Sequence, residues 1–290
     1  MTAGIILLLL TGLCWVGIAA VVSNAARNRL DINAIQLSAS LVIAAAAGAA
    51  MLCRTPSRVP AAMAATVFVA GAGNFLMLHW MRRAMITGNS GAVWGIVQSA
   101  SICPFVMGML FFGVLPTWPR LLGMALILLG IALFARTRPG RHGRGPLLWL
   151  WPTLGAFAAS GLAQCFANLP SYWSGVRMPP ELRACLVQLG TVGMFALTMP
   201  FQRRKPRFRG TGKAVALLSA VQILSLFFFF YRGLDLVAAH GGGSIGYPVA
   251  QGACIAFFLL YNRFILKEKS GPLTLGALAA ALAGIAAIAW

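Results

Sequence analysis

Residues 89–112 read NSGAVWGIVQSASICPFVMGMLFF, a run of 24 residues without a charged side chain. An α-helix needs about 20 apolar residues to cross the hydrocarbon core of a bilayer, so this run is long enough to span a membrane. Similar runs follow one another along the chain, and Arg or Lys residues stand in most of the gaps between them. The predicted spans are residues 2–22, 33–52, 60–81, 89–112, 117–135, 147–169, 181–200, 213–231, 243–265 and 271–289.

The composition of the whole chain is that of a membrane protein. Of its 290 residues, 60% are hydrophobic and 9% are charged, whereas soluble domains carry about 25% charged residues. So few charged side chains cannot cover the surface of a soluble protein, which excludes soluble enzymes, secreted disulfide-rich domains and disordered chains. The six cysteines stand singly, without a CxxC pair. We therefore expect no metal site, no redox pair and no cofactor.

The charge is strongly unbalanced, with 23 basic residues, four acidic residues and a net charge of +19. The basic residues lie in short loops without interleaved aromatic residues, which predicts contact with anionic lipid and no binding of nucleic acid. Alternate loops carry 17 and 6 basic residues in total. Because basic loops stay in the cytoplasm, we expect both termini outside. We also expect an integral membrane protein, located in a bacterial cytoplasmic (inner) membrane.

The end of the chain repeats the pattern of the opening stretch. At a constant shift of 153 positions, Trp94 meets Tyr247 and Gln98 meets Gln251. Glutamine is rare in this chain, so its recurrence indicates an internal repeat.

Each half of the chain holds five predicted spans. Five is an odd number, so the second half must enter the membrane in the opposite sense, as in secondary transporters. We predict an all-α membrane protein of ten transmembrane helices in two inverted five-helix repeats, residues 1–138 and residues 145–290. Such an arrangement places a substrate site near the midplane, between the halves.

The chain resembles the drug/metabolite transporter superfamily in its ten-helix, EamA-like form. The resemblance rests on the five-plus-five layout and on the segment Gln98–Pro104, echoed by Pro248–Gln251. It implies a transporter of small metabolites, often an exporter of amino acids. Members commonly carry a Glu between the fourth and fifth helix of each repeat. Glu268 matches this pattern, whereas the first repeat has Leu115 and Pro116 instead.

The four acidic residues lie at the ends of predicted spans or in loops. Asp235 follows Arg232 by three positions, so we expect a surface pair there. Proton-coupled export of cations requires a carboxylate inside the membrane, so this mechanism is disfavoured. The sequence favours export of a neutral or zwitterionic metabolite such as an amino acid. The alternative is a multidrug exporter of cationic compounds that binds them on aromatic faces.

Polar and aromatic side chains inside the spans are the candidate substrate-binding residues, because a polar group facing lipid would be left unsatisfied. Each could instead make a hydrogen bond between helices, and His79 could be an interfacial histidine. Phe227–Phe230 is interpreted as lipid-facing or packing bulk. The predicted cavity residues are Trp15, Asn74, His79, Trp94, Gln98, Ser101, Gln164, Asn168, Gln188, Gln222, Tyr247 and Gln251.

Other classes of protein fit the pattern less well. A membrane enzyme would need a cluster of Asp, His or Ser, which the sequence does not suggest, so we assign no catalytic residue. A channel or an assembly subunit stays an alternative that flux measurements would separate from a carrier. The expected partners are a small-molecule substrate and the bilayer. The chain is expected to be a monomer or a homodimer, and small residues such as Gly123 and Gly130 offer a possible dimer contact.

Overall fold

A computed structural model describes residues 1–52, 59–87, 90–113, 117–136, 148–172, 178–201, 205–240, 245–265 and 271–289. In these ranges the regular structure is helical, without strands. The α-helices are α1 (Thr2–Arg27), α2 (Ile32–Leu52), α3 (Ala61–Thr87), α4 (Ser90–Gln98), α5 (Ile102–Phe111), α6 (Trp118–Ala135), α7 (Leu150–Tyr172), α8 (Pro180–Thr198), α9 (Gly212–Ile223), α10 (Tyr231–Ala238), α11 (Gly246–Phe264) and α12 (Pro272–Ala289).

Six helical stretches among the described residues are long and apolar enough to cross a membrane, which confirms a helical membrane protein. They are Thr2–Val22, Ile32–Leu52, Ala61–Ile86, Val93–Phe111, Pro180–Phe201 and Gly212–Ala238.

Several helices continue past the predicted apolar runs. α3 extends to Thr87 and α10 to Ala238, so Arg82, Arg83 and Arg232 lie on helices and not in the gaps between them. A helix satisfies its own backbone hydrogen bonds, so it can leave the hydrocarbon region without ending.

The opening stretch 89–112 is interrupted in its middle. α4 ends at Gln98, a 3₁₀ turn covers Ser99–Ser101, and α5 begins at Ile102. Pro104 is the third residue of α5, and its ring nitrogen cannot donate a hydrogen bond to the preceding turn. The tight turn lies where that bond is missing.

A second interruption was not predicted. Residues Leu224–Phe230, between α9 and α10, form a π-helix. The wider turn directs Phe227 and Phe230 into the interior, where both are buried, whereas 49% of Phe228 is exposed. Phe227 and Phe230 thus pack in the interior while Phe228 is exposed, which fits the interpretation of Phe227–Phe230 as lipid-facing or packing bulk.

The main helix contacts join the first half of the chain to the second. α6 packs on α12, and α3 packs on α7 and α8. α1 packs on α11 and on the stretch from α9 to α10, while α2 packs on α8 and α9. The core therefore lies between the two halves rather than inside each of them.

Glycines allow the closest crossing of helices, between α3 and α8. A Cβ atom on Gly71 would meet the carbonyl oxygen of Val187, and one on Gly190 would meet that of Phe68. Thr191 Oγ1 also donates to the Gly71 carbonyl at 3.0 Å. Small residues permit such contact between helix backbones in membranes.

The small residues of α6 also pack within the chain. A Cβ on Gly130 would lie 2.9 Å from the Ala277 carbonyl oxygen, and one on Gly284 would lie 2.6 Å from that of Gly123. The surface suggested for a dimer contact is thus used to join α6 to α12.

Candidate functional site

The first group of predicted site residues lies where α4 and the 3₁₀ turn pack against α11. Gln98 Nε2 donates to Cys254 Sγ at 3.5 Å. Ser101 Oγ and Gln251 Oε1 are buried and make no hydrogen bond within the described part of the chain. We call Gln98, Ser101, Gln251 and Cys254 the central polar group. A buried polar atom without a partner costs about 1–3 kcal/mol, so a polar ligand at this position would be stabilised.

A second group of predicted residues lies on α7, α8 and α9. Gln188 Nε2 donates to Gln222 Oε1 at 3.3 Å and so joins α8 to α9. Gln164 Nε2 donates to Ser160 Oγ at 3.0 Å within α7. Asn168, one turn further along α7, is fully buried. The bond between helices that the sequence left open as an alternative is therefore realised at Gln188 and Gln222.

Aromatic rings from four segments form an internal cluster. Phe230, at the end of the π-helix, lies 5.2 Å from Trp15 of α1 and 5.2 Å from Tyr231, measured between ring centroids. Tyr247 of α11 contacts Phe230 edge-on at 5.0 Å. We call Trp15, Phe230, Tyr231 and Tyr247 the aromatic cluster. Two predicted site residues, Trp15 and Tyr247, are thus brought together by a ring that sequence reasoning had set aside.

The remaining predicted residues lie apart from the aromatic cluster. Trp94 stacks on Phe258 of α11 with 5.5 Å between ring centroids, and its Nε1 is buried without a described partner. His79 is half-buried on α3, with Phe75 at 6.1 Å and Trp80 at 6.2 Å between centroids. Asn74, five residues before it on α3, is also half-buried. Within the described chain, the ring contacts of Trp94 and His79 do not reach Phe230.

A buried charge network was missed by the sequence analysis. Arg183 Nη2 lies 2.9 Å from Asp235 Oδ1, and only 2% of the Arg183 side chain is exposed. Arg183 Nη1 donates to Ser171 Oγ at 3.0 Å, and this hydroxyl donates to Asp235 Oδ1 at 3.2 Å. The guanidinium carbon also lies 5.6 Å from the centre of the Tyr231 ring. We call Ser171, Arg183 and Asp235 the arginine network.

The arginine network corrects two expectations. Asp235 pairs with Arg183 and not with Arg232, whose guanidinium lies 5.5 Å from the Phe228 ring centre. Arg183 is one of the six basic residues counted for the less basic loop set, but it lies on α8, which begins at Pro180, and its side chain is turned inward. The sequence did contain a signal for this pair. Arg183 stands near the beginning of the span 181–200 and Asp235 follows the end of the next span, 213–231, so both are predicted on the same side of the membrane, where helix ends of a bundle can meet.

Two further acidic residues, Asp31 and Glu181, lie at the beginnings of α2 and α8. Asp31 Oδ1 accepts hydrogen bonds from the backbone N–H of Asn33 at 2.9 Å and of Ala34 at 3.3 Å, which caps α2. Its Oδ2 accepts from the backbone N–H of Arg207 at 3.0 Å, in the second half of the chain. Glu181 is buried in the first turn of α8. Glu268, and the Gly241–Gly243 run that marks the start of the ninth predicted span, lie outside the described residues.

A small cleft lies between α2, α8 and the segment that precedes α9. Its volume is about 100 Å³ and its lining is apolar, with Leu37, Phe195 and Pro206 among the contributing residues. None of the predicted site residues lines it. Among the described residues, no three His, Cys, Asp or Glu side chains are close enough to hold a metal ion.

Comparison with known proteins gives a likeness of fold. No family model matches the chain, and no curated protein matches it. One solved structure, described only as "Crystal structure of protein", matches with a TM-score of 0.64 and 17% sequence identity. The match covers 99% of this chain and 96% of that chain. At this identity the likeness shows that the whole chain shares a fold with that protein, and nothing about activity.

Proposed function

We propose that the chain is a secondary transporter of a small neutral or zwitterionic metabolite, such as an amino acid, working by alternating access. In this proposal ten transmembrane helices form two inverted repeats, residues 1–138 and 145–290, and the substrate site lies between them. The observation that carries the proposal is the mirrored packing of the two halves.

The mirrored packing concerns which helices touch. α3 packs on α7, and the corresponding stretch α9 to α10 packs on α1. α1 packs on α11, and the corresponding α7 packs on α4 and α5. α6 and α12, which end the two halves, pack on each other. Each helix–helix contact made by one half thus has a counterpart made by the other half. Such a symmetry is expected if two homologous units can swap conformations and so open a central site to either side.

The same exchange holds for single glycines. A Cβ on Gly12 of α1 would lie 2.5 Å from Ala253 Cβ of α11. A Cβ on Gly161 of α7 would meet the side chain of Cys103 on α5. Gly12-Leu13 and Gly161-Leu162 occupy corresponding places in the first spans of the two predicted repeats, and each of the two glycines meets the fourth span of the opposite half. This agreement supports a two-fold relation between the halves.

The substrate class is inferred from the chemistry of the two internal groups. The central polar group offers amide and hydroxyl atoms that are not all paired within the described chain, and the aromatic cluster offers ring faces. Such a combination suits a small molecule with an apolar part and a polar end. A cationic drug would be better served by an acidic side chain, and Asp235 is engaged by Arg183.

Uptake into proteoliposomes tests the proposed activity. Purified full-length protein is reconstituted, and uptake of a panel of labelled amino acids, other metabolites and cationic dyes is measured against protein-free liposomes. We expect saturable uptake of at least one amino acid. Saturable uptake of the cationic dyes alone would favour the multidrug alternative, and absence of saturable flux across the panel would contradict a transporter.

The inverted arrangement predicts which loops face the cytoplasm. Asn28 and Arg209 are exposed, and both lie in the loop set with 17 basic residues, which is predicted to be cytoplasmic. Thr117 and Ala239 are also exposed, and both lie in the set with 6 basic residues, which is predicted to be outside. We expect a membrane-impermeant maleimide added to intact cells to label cysteines introduced at Thr117 and Ala239. Cysteines at Asn28 and Arg209 should react only after the cells are opened. Labelling of all four from outside, or the reverse pattern, would contradict the proposed orientation.

A further inference from the structure

We propose that the small apolar cleft between α2, α8 and the segment before α9 binds one anionic phospholipid. Part of an acyl chain lies in the cleft, and the phosphate headgroup lies against basic side chains at its rim. The lipid is held at the lateral surface of the helices and is not a transported substrate, so this site is additional to the proposed function. A single site of this kind also differs from a general attraction of basic loops to the membrane.

The size and lining of the cleft suit a hydrocarbon chain. Its volume is about 100 Å³ and its lining is apolar, with Leu37 of α2 and Val192 and Phe195 of α8 among the residues that form it. Sites for drug-sized molecules usually have about 300–1,000 Å³ and a few polar groups that orient the ligand. A cavity of about 150 Å³ holds a benzene molecule. The cleft therefore fits a few methylene groups of a chain whose remainder lies outside it.

The cleft lies at the surface of the helices, where a membrane-spanning stretch ends. The stretch Pro180–Phe201 ends beside it, and the lining residues Ala196 and Met199 are exposed. Two further apolar side chains at this end, Leu197 and Phe201, are 69% and 87% exposed. Exposed apolar surface of this kind marks contact with a membrane. The cleft thus opens toward lipid, near the boundary between acyl chains and headgroups.

Basic side chains stand directly beside the apolar lining. Pro206 lines the cleft, and Lys205 and Arg207 are its neighbours in the chain. Lys205, Arg207 and Arg209 are all exposed. Near an anionic membrane surface each Lys or Arg contributes about fivefold to affinity. A phosphate headgroup above the cleft would therefore be within reach of several positive charges.

Asp31 fixes this basic segment against α2. Its Oδ2 accepts a hydrogen bond from the backbone N–H of Arg207 at 3.0 Å, and its Oδ1 accepts from the backbone N–H of Asn33 at 2.9 Å. The start of α2 is thus joined to the residue that follows Pro206, so Pro206 and Leu37 are kept at the same cleft. Both carboxylate oxygens are bonded to backbone donors, and the exposed basic side chains outnumber this one acidic side chain, so the rim is positive.

The predicted orientation brings the cleft to the leaflet that carries anionic lipid. Lys205, Arg207 and Arg209 belong to the loop set with 17 basic residues, which is predicted to be cytoplasmic. The cytoplasmic leaflet contains anionic headgroups and has a negative surface potential. The apolar lining, the position at the end of a span and the charge of the rim therefore favour the same occupant, an anionic phospholipid.

Dioleoylphosphatidylglycerol and dioleoylphosphatidylcholine are the probes for this site, because they share their acyl chains and differ in net charge. Each is titrated into the purified full-length protein in a non-ionic detergent. Native mass spectrometry gives the number of lipids bound and their dissociation constants. We expect one phosphatidylglycerol to bind at least about tenfold more tightly than phosphatidylcholine. Glycerol phosphate, which carries the charge without an acyl chain, should not displace it.

Two variants with matched controls locate the lipid. Arg207→Gln removes a charge from the rim and keeps the backbone bond to Asp31, so phosphatidylglycerol affinity should fall about fivefold. Arg136→Gln removes an exposed charge from another loop of the same predicted side and should leave the affinity unchanged. Ala196→Phe fills the cleft and should lower the affinity about tenfold. Leu197→Phe places the same ring at the next residue, which does not line the cleft, and should have no effect.

Equal affinity for the two lipids, displacement by glycerol phosphate, or equal losses in a variant and its control would overturn the site. Displacement would indicate a site for free phosphate compounds, and equal losses in Arg207→Gln and Arg136→Gln would indicate diffuse attraction. The comparison of the two lipids uses the unmodified protein, so it decides the matter even where a variant does not fold. No transport is measured, so the outcome is independent of the proposed transporter.

Discussion

Alanine at Gly71 or at Gly190 is expected to lower the free energy of unfolding by about 3 kcal/mol, the upper end of the usual cost of overpacking. The new methyl group would meet a backbone carbonyl of the facing helix, at Val187 or at Phe68. Backbone cannot rotate away as a side chain can, so α3 and α8 would have to separate along their contact. The separation would also stretch the bond from Thr191 to the Gly71 carbonyl.

Thermal unfolding in detergent measures this effect, with the folded fraction checked by size-exclusion chromatography. Gly48→Ala is the matched control, because a Cβ there would meet no atom within 4 Å. The control should shift stability by at most about 1 kcal/mol, the intrinsic difference between Gly and Ala in a helix. A Gly71→Ala variant that melts together with Gly48→Ala would refute the close crossing of α3 and α8.

Gln98→Leu and Gln251→Leu are each expected to reduce transport about tenfold while leaving the protein folded. The expectation for stability follows from the loss of a buried amide that is only partly bonded, whose replacement by an apolar side chain of similar size can be neutral or stabilising. Flux should fall because the substrate would lose one hydrogen bond to the protein. A loss of about 1.4 kcal/mol of binding free energy corresponds to a tenfold lower affinity.

Proteoliposome uptake and thermal unfolding are measured on the same preparations. Gln36→Leu is the matched control, since Gln36 is as buried as Gln98, at 8% exposure, but lies at the start of α2 and outside the predicted set. Full activity in both Gln98→Leu and Gln251→Leu would mean that these residues only join helices. Equal loss of activity in Gln36→Leu would show that the effect is not specific to the central polar group.

The helices could be predicted from the sequence because the bilayer imposes a minimum length of apolar chain. The predicted run at residues 213–231 illustrates the limit of that reasoning, since the helical stretch extends to Ala238. Apolarity marks the hydrocarbon region, whereas the helix ends where its backbone hydrogen bonds end. The interruption of the helix before Pro104 could be inferred from the sequence because proline has no backbone N–H to donate. The π-helix at Leu224–Phe230 carries no such marker.

The candidate site could be predicted only in part from the sequence, for a related reason. Trp15 and Tyr247 were chosen for chemical type, but Phe230 links them only because the π-helix turns it inward. Arg183 was expected among the loop charges of the less basic side, whereas the fold buries its side chain and supplies Asp235 and Ser171 as partners. Pairing of distant charges depends on the arrangement of helix ends, which a sequence pattern alone does not specify.

Counterflow in proteoliposomes tests alternating access most directly. Liposomes are loaded with an unlabelled substrate from the uptake panel, and entry of a trace amount of the labelled compound is followed over time. A carrier whose central site opens to one side and then to the other predicts a transient accumulation of label above its equilibrium level, saturable in substrate. Entry that only approaches equilibrium, without saturation and without stimulation by internal substrate, would contradict alternating access and favour a channel.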